Sequence, residues 1–445
     1  MLPLNEALLD LVRNKAISLH VPGHKNMTIG HLKTLQLNMD MTEITGLDDL
    51  HAPEAVLLDS QRTVRKHKDY DAFYLVNGTT SGILSVIQAF AHQRGQYVMP
   101  RNMHKSVFHA LDLTQQSAIL LPTTMSQATG HYLGPKSPCY IEHADDKKLA
   151  LFTYPNYYGE TFDIHAWVTY CHKRGIPVCV DEAHGAHFGL AGFPQSSLTA
   201  GADYVVQSYH KTLPALTMGS VLFIHKAAPY RDDVIRYLNY FQSSSPSYLI
   251  MASLEQAHHF YVHYDTTVFF EKRAQLIASL EEKGFILNDV QDPIKLSVSH
   301  PTMRGTTIQR CFEDMAVYVE LADMYQVLLV LPLWHEGDMY PFDRLISCIR
   351  NMRVETEDVP AHTALLLDGG MYTAAHFSTK QVHVSASEGM VLGHHITPYP
   401  PGIPMMYKGE RISREMITQI KTWQNQNIDL EGIVDDKIRV KDETI

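Results

Sequence analysis

Residues 202–225 read ADYVVQSYHKTLPALTMGSVLFIH, and the reading of this stretch decides the fold. Val205 and Val206 end one apolar run, and Val221 to Ile224 form another, so two buried strands are predicted. Between them stands the polar tetrad Ser208-Tyr209-His210-Lys211, followed by Pro214. A lysine at the lip of a buried strand is poorly solvated. Desolvation lowers its pKa toward the range in which a free amine is a nucleophile. Lys211 meets that requirement for Schiff-base chemistry; a surface lysine in a turn is the other reading.

Upstream, the apolar run Ile176 to Val180 ends in Asp181-Glu182-Ala183-His184-Gly185-Ala186-His187. An acid at the carboxyl end of a parallel strand sits where open α/β sheets bind ligands. An aspartate beside a pyridine nitrogen keeps it protonated, which pyridoxal phosphate needs to act as an electron sink. Asp181 and Lys211 together point to that cofactor.

The 445 residues suffice for one large and one smaller domain. A net charge of −11 argues against nucleic acid and anionic membrane surfaces as partners. The five cysteines (Cys139, Cys171, Cys179, Cys311, Cys348) form no CxxC pair, which fits a reducing compartment. The opening MLPLNEALLDLVRNKAISLH carries Glu6, Asp10 and Arg13 through its apolar positions and lacks a signal-peptide core. No segment approaches transmembrane length, so a cytoplasmic protein is expected.

Leu4 to Asn14 is expected to form a short amphipathic helix with Leu4, Leu8, Leu11 and Val12 on one face. His20-Val21-Pro22-Gly23-His24-Lys25 follows, read either as a solvated arm or as a segment laid over an active site, that of a partner subunit included. A helix from about Val56 to His67 and a strand from Phe73 to Val76 lead into Asn77-Gly78-Thr79-Thr80-Ser81-Gly82. Glycine and hydroxyl residues opening a helix after a strand make an anion site, although the same residues also serve as plain caps. Val98 to Pro100 makes the next strand, before Arg101-Asn102-Met103-His104-Lys105-Ser106. His104 is placed to lie on a flat cofactor, or is a satisfied structural histidine. Further strands at Ala118 to Leu121 and Leu149 to Tyr154 continue an alternation that predicts a mostly parallel sheet covered on both faces. The stretch from about Leu249 to Lys283 has neither Gly nor Pro and is predicted as one long bridging helix stopped by Gly284. Beyond Phe285, short strands and helices (Ile294 to Val298, Gln326 to Leu331, Asp343 to Met352) predict a smaller α/β domain. The expected division is an N-terminal arm with helices over 1–70, a major domain over 71–284 and a smaller domain over 285–445. Residues 397–404, TPYPPGIP, read as a rigid loop.

In this order the motifs HVPGHK, TEITGLDDLH, VNGTTSG, RNMHKS, DEAHGAHFG, QSYHK, SPSY and PYPPGIP resemble the Orn/Lys/Arg decarboxylases, collinearly from His20 to about Glu410. The resemblance implies a fold-type-I, aspartate-aminotransferase-like large domain with a smaller C-terminal α/β domain. It implies pyridoxal 5'-phosphate held by Lys211, with Asp181 on the pyridinium, His104 on one ring face and Ala183 on the other. Gly78, Thr80, Ser81, Ser208 and His210 would hold the phosphate. The active sites of a homodimer would be shared, with HVPGHK and the loop Ser243 to Ser245, Ser244 included, reaching across. The reaction implied is loss of CO2 from arginine, lysine or ornithine, a step of polyamine biosynthesis, with Lys211 or His210 returning a proton to Cα. Glu410 and Asp338 are candidates for the substrate's distal cation. Tyr209 stands where the family has a small hydroxyl residue. Ser387-Glu388-Gly389-Met390-Val391 replaces an expected Gly-Arg pair, and Tyr407-Lys408-Gly409-Glu410 replaces a Pro-Gly-Glu ending. The receiver-like N-terminal domain of the family's large inducible enzymes is not expected here.

An aminotransferase of the same fold would share the cofactor residues, and a catalytically silent family member would keep them too. Asp181-Glu182-Ala183-His184 is also a helicase tetrapeptide, but the chain lacks GxxxxGK[ST]. A zinc hydrolase built on His184 and His187 would lack HExxH and an obvious third ligand, so no metal is expected.

Overall fold

The computed structural model describes residues 2–137, 147–288, 290–359, 369–374, 377–399, 404–426 and 428–442. Cys139 and residues 400–403 of the proline-rich loop lie outside the described residues. The N-terminal part comprises α1 (Pro3–Arg13), β1 (Ile17–Leu19) and α2 (Val56–Thr63). Next come β2 (Tyr70–Leu75), α3 (Gly78–Phe90), β3 (Gln96–Pro100), α4 (Lys105–Thr114), β4 (Ser117–Leu121), β5 (Thr123–Met125) and β6 (Tyr132–Pro135). The centre holds β7 (Lys147–Thr153), α5 (Ile164–His172), β8 (Val178–Asp181), β9 (Tyr204–Gln207), α6 (Tyr209–Thr212), β10 (Ser220–His225) and α7 (Arg231–Phe241).

Eight strands form the main sheet in the order β16-β4-β3-β7-β8-β9-β10-β2, where β16 is Gly370–Thr373. The strands from β4 to β9 in this order run parallel, while β10, β2 and β16 are antiparallel to their neighbours. Alternation sorts the side chains. Phe152, Val178, Val180 and Val205 face one core, and Leu151, Cys179, Tyr204 and Val206 face another. Strands apolar on both faces can exist only where both faces are covered, as expected of a parallel centre. The register pairs Thr153 with Asp181 and Asp181 with Val206, so three strands end level with one another. That shared edge carries the site.

The stretch expected as one long helix is two: α8 (Tyr248–His263) and α9 (Thr267–Glu281). Tyr264 leaves helical space at ψ 124°, and its hydroxyl donates to the Trp334 carbonyl at 2.7 Å. Asp265 then caps the second helix by accepting from the Thr267 N–H at 2.8 Å. Absence of Gly and Pro thus did not guarantee continuity; a capping residue and a tertiary hydrogen bond broke the run.

The remaining elements are β11 (Ile286–Asn288), β12 (Lys295–Ser299), α10 (Gly305–Glu313), β13 (Val317–Val319), β14 (Leu321–Ala322), β15 (Gln326–Val330) and α11 (Phe342–Asn351). Strands β11, β12, β15 and β14 form an antiparallel sheet whose Leu296, Val298 and Leu329 join the same core as Val180 and Phe223. Strand β1 pairs with β13, tying the N-terminal segment to this layer. After β16 come β17 (Thr379–His383), β18 (Thr397–Tyr399), α12 (Arg414–Asn425), β19 (Asp429–Glu431), β20 (Ile433–Val434) and β21 (Lys437–Lys441), around a separate core that includes Leu392, Ile420 and Val440.

Candidate active site

A cavity of about 420 Å³ opens at the carboxyl ends of β7 and β8, lined by Thr79, Asn102, His104, Asp181, Ala183 and Lys211 among others. Asp181 is the last residue of β8, and its Oδ1 accepts the Ala183 N–H at 3.2 Å. Burial pushes its carboxyl up, while Lys211 opposes that shift. Lys211 lies in the single turn α6, directly after β9. Burial lowers its pKa, with Asp181 and Glu320 acting the other way. An amine and a carboxylate facing one cavity from adjacent strand ends are what the sequence expected.

His104 caps α4, its Nδ1 accepting the Ser106 N–H at 3.2 Å, and its ring faces the cavity. Desolvation and then the nearby Lys211 depress its pKa to about 3, so the ring is neutral. His210 donates from Nδ1 to the Gly219 carbonyl at 3.0 Å, and burial lowers it to about 4. At the N-terminus of α3, Gly78 has φ +74°, and a Cβ there would meet nothing within 4 Å. Thr79 and Ser208 bring their hydroxyls within 3.4 Å of each other. Ser81 turns its hydroxyl back to the Gly78 carbonyl at 2.8 Å, and Thr79, not Thr80, lines the cavity. Ser244 is exposed in a loop held next to α3, where the Ser243 carbonyl accepts from His51 Nε2 at 2.9 Å.

HVPGHK is packed within its own chain rather than forming a solvated arm. Gly23 donates its N–H to the His210 carbonyl at 2.7 Å, and a Cβ on Gly23 would fall 2.4 Å from the Leu213 oxygen. Lys25 is buried, with Nζ donating to the carbonyls of His20 and Val330. The motif buttresses its own subunit's α6. Tyr209 also points away from the cavity. Its buried hydroxyl lies 3.2 Å from His258 Nδ1 and its ring 4.9 Å from Lys66 Nζ, so this departure from the family pattern falls in the support behind the site. Neither proposed acceptor for a distal cation lines the cavity. Glu410 pairs with Arg101 at 2.6 Å, and Asp338 with Lys272 at 3.0 Å.

Sequence reasoning missed three charged or polar groups behind Lys211, one of them buried and two half-buried. Lys295 stands in β12, Glu320 between β13 and β14, and Tyr157 on the loop after β7. Tyr157 donates its hydroxyl to Glu320, whose other oxygen accepts the Val21 N–H at 2.8 Å. Burial resists ionisation of Glu320, yet Lys295 and the Tyr157 hydroxyl hold it below the usual carboxylate range. The available signal was a lone charge inside each apolar run, Ile294-Lys295-Leu296 and Val319-Glu320-Leu321.

These residues fit pyridoxal phosphate. The open space before Gly78 and the paired hydroxyls offer an anion cradle at the α3 N-terminus. Asn102 Oδ1, buried on the cavity wall, has no hydrogen-bond partner within the protein.

The sequence matches the Orn/Lys/Arg decarboxylase major domain over residues 2–282 and the C-terminal domain of the same family over residues 360–436. It is 37% identical to the uncharacterized protein YaaO of Bacillus subtilis (strain 168), covering 97% of this chain and 96% of that one. Identity to the arginine decarboxylase of the same organism is 27%, over 94% of this chain and 92% of the relative. The fold is shared with the lysine decarboxylase LdcF of Francisella novicida, at TM-score 0.71 and 17% identity over 92% of this chain and 76% of that one. A match spanning more than half of the chain, joined to the Lys211–Asp181 geometry, decides the assignment: this chain belongs to the Orn/Lys/Arg decarboxylase family and is a pyridoxal-phosphate-dependent decarboxylase.

Proposed function

We propose that the chain removes the α-carboxylate of a basic amino acid, arginine before lysine or ornithine, to leave the amine. The observation that carries this reading is the single cavity presenting Lys211 and Asp181 together with two further carboxylates, Asp323 and Glu431. Burial works against ionisation of Asp323, but the hydrogen bond from His131 holds it below the usual range, so it offers negative charge to a cationic head group. The arginine decarboxylases of Bacillus species that match across more than nine-tenths of this chain support arginine as the first substrate.

When bound, pyridoxal phosphate supplies the sink for the electron pair that CO2 leaves behind. In this reading Lys211 would be the residue that holds the cofactor. Asp181 would keep a proton on the ring nitrogen, and His104 and Ala183 would flank the ring. Gly78, Ser208 and His210, with Thr79 in place of Thr80 on the cavity wall, would hold the phosphate, and Ser81 would offer its backbone N–H rather than its hydroxyl; Ser244 lies in the neighbouring loop. Lys211 or His210 returns a proton to Cα.

A homodimer is part of the proposal. The face of α1 leaves Leu4 and Val12 70% and 72% exposed, apolar surface that a second copy would cover. A cytoplasmic location is proposed as well: Cys171, Cys179, Cys311 and Cys348 are free thiols, and among the described residues no helix is long and apolar enough to cross a membrane. The deciding experiment incubates purified protein and cofactor with each of the three amino acids and measures evolved CO2 and amine. Lys211→Ala is expected to lose turnover and the visible absorbance of the bound cofactor together. A keto acid formed without CO2 would replace decarboxylation by amino-group transfer.

A further inference from the structure

Lys211 has a second lysine behind it. His184 Nε2 lies 3.2 Å from Lys211 Nζ, and His184 Nδ1 lies 3.1 Å from Lys295 Nζ. Lys295 has no solvent exposure, and it stands in the part of the chain between the two family matches. Its stem is boxed in: a Cβ on Gly159 would fall 2.5 Å from Lys295 Cγ, and the Tyr157 ring centre lies 5.3 Å from Nζ.

A neutral imidazole has one donor nitrogen and one acceptor nitrogen. An ammonium can only donate, whereas a free amine can also accept. Burial, and then the two flanking lysines, hold His184 well below its ordinary pKa, so the ring is neutral. Both contacts are then hydrogen bonds only when the amine facing the ring N–H is free, while the other amine, charged or free, donates to the bare ring nitrogen; the pair therefore holds at most one extra proton. Two arrangements carry that proton. In the first, Lys211 is the ammonium and donates to Nε2, while Nδ1–H donates to a free Lys295. In the second, Lys295 is the ammonium and donates to Nδ1, while Nε2–H donates to a free Lys211. They hold the same protons and interconvert by two shifts, one from Lys211 to Nε2 and one from Nδ1 to Lys295, which carry one net charge across the ring; no other bond forms or breaks.

We propose that His184 passes a proton between Lys211 and Lys295, so that Lys295 is the buried base that frees the Lys211 amine and later gives the proton back. Lys295 acts through His184 and is a positioning residue. The charged and titratable groups around the relay are consistent with two-way traffic. Asp181, Glu320, His104 and His210 surround Lys211, and Glu320, Asp292, Lys25 and Tyr157 surround Lys295. Burial brings Lys295 down to about 8, where gaining and losing a proton are both accessible. The relay rests on the reading of Lys211 as the attachment residue.

The test uses the full-length protein, stripped of cofactor and shown by circular dichroism to keep its fold. Formaldehyde and cyanoborohydride are applied across pH, and methylation of Lys211 is read by peptide mass. In Lys295→Met the midpoint of the pH profile is expected to move up by about one unit or more, with the high-pH rate retained, because the proton on Lys211 has lost its acceptor. His184→Gln should do the same, and the double variant should move no further than either single one, since the two residues act in series. Lys295→Gln is the second variant should the methionine form not fold, with the same expectation. An unmoved or lowered midpoint, or additive shifts in the double variant, overturns the relay. A Lys211 that resists methylation at every pH overturns the attachment role and the relay with it.

Discussion

Glu410→Ala should be among the most damaging single changes outside the cavity. Arg101 has a side-chain exposure of 1% and Glu410 of 13%, with the guanidinium and carboxylate 2.6 Å apart. Glu410 Oε2 also accepts the Tyr407 N–H at 2.8 Å, and the Tyr407 hydroxyl donates to the Arg101 carbonyl. Removing the carboxylate takes an ion-pair partner from a buried cation, a loss of about 3–5 kcal/mol in comparable settings. The backbone N–H of Tyr407 is stranded as well, adding about 1 kcal/mol. Urea unfolding followed by tryptophan fluorescence reports the change, because Trp423 lies in the C-terminal core and Trp167 and Trp334 in the main one. Arg101, Asn102 and His104 share one short segment, so cofactor affinity should fall alongside stability. The double change Arg101→Met with Glu410→Met removes both charges and should recover most of the stability. A loss below about 1 kcal/mol in Glu410→Ala would refute the reasoning, for it would mean that the cation had never depended on this carboxylate.

Gly23→Ala forces a methyl against the Leu213 carbonyl, and a cost of about 1–3 kcal/mol is expected together with weaker cofactor retention, measured by thermal unfolding and by absorbance after gel filtration. Retained stability with intact absorbance would separate the HVPGHK segment from α6. The hydrogen bond to Asp203, at 2.8 Å, raises the pKa of His172 in the folded chain above its ordinary 6.5. The stabilisation this gives is therefore complete below pH 6.5 and fades as pH rises through the raised value. His172→Gln should flatten that part of the stability–pH curve; an unchanged slope would remove His172 from it.

Asp181 and Lys211 drew notice because Asp181 ends a short apolar run and Lys211 follows another within a few residues, and a strand end is a local property of the chain. Gly78 and its hydroxyl neighbours stood out as punctuation between a strand and a helix, and the structure puts that helix start there. The support behind them was not legible. Lys295 and Glu320 reach Lys211 only because the antiparallel β12–β15 layer packs on the main sheet, and no spacing in the sequence encodes that approach. His184 stood in a motif already noted, yet its two lysine neighbours lie on separate elements, at positions 211 and 295. The break at Tyr264 was invisible to a test based on glycine and proline, since a tyrosine reaching a distant carbonyl made it. HVPGHK looked exposed because two histidines and a lysine crowd it. Lys25 is buried with its amine donating to two carbonyl groups and Glu320 nearby, which offset part of the cost of burial.

Strand β16 closes the rim of the main sheet, pairing Gly370 with Leu120 and Thr373 with Ser117. In ribosomal order, residues 117–121 are made long before their partner. Until residue 373 has emerged, the growing polypeptide carries a bare strand edge whose amide groups can pair with any neighbouring chain. Ordering of the sheet is thus finished late in synthesis, by a segment that belongs to neither end of the cofactor-binding half. A product halted short of residue 369 keeps that edge open for good, which makes translational truncation a greater aggregation hazard here than its modest loss of length implies.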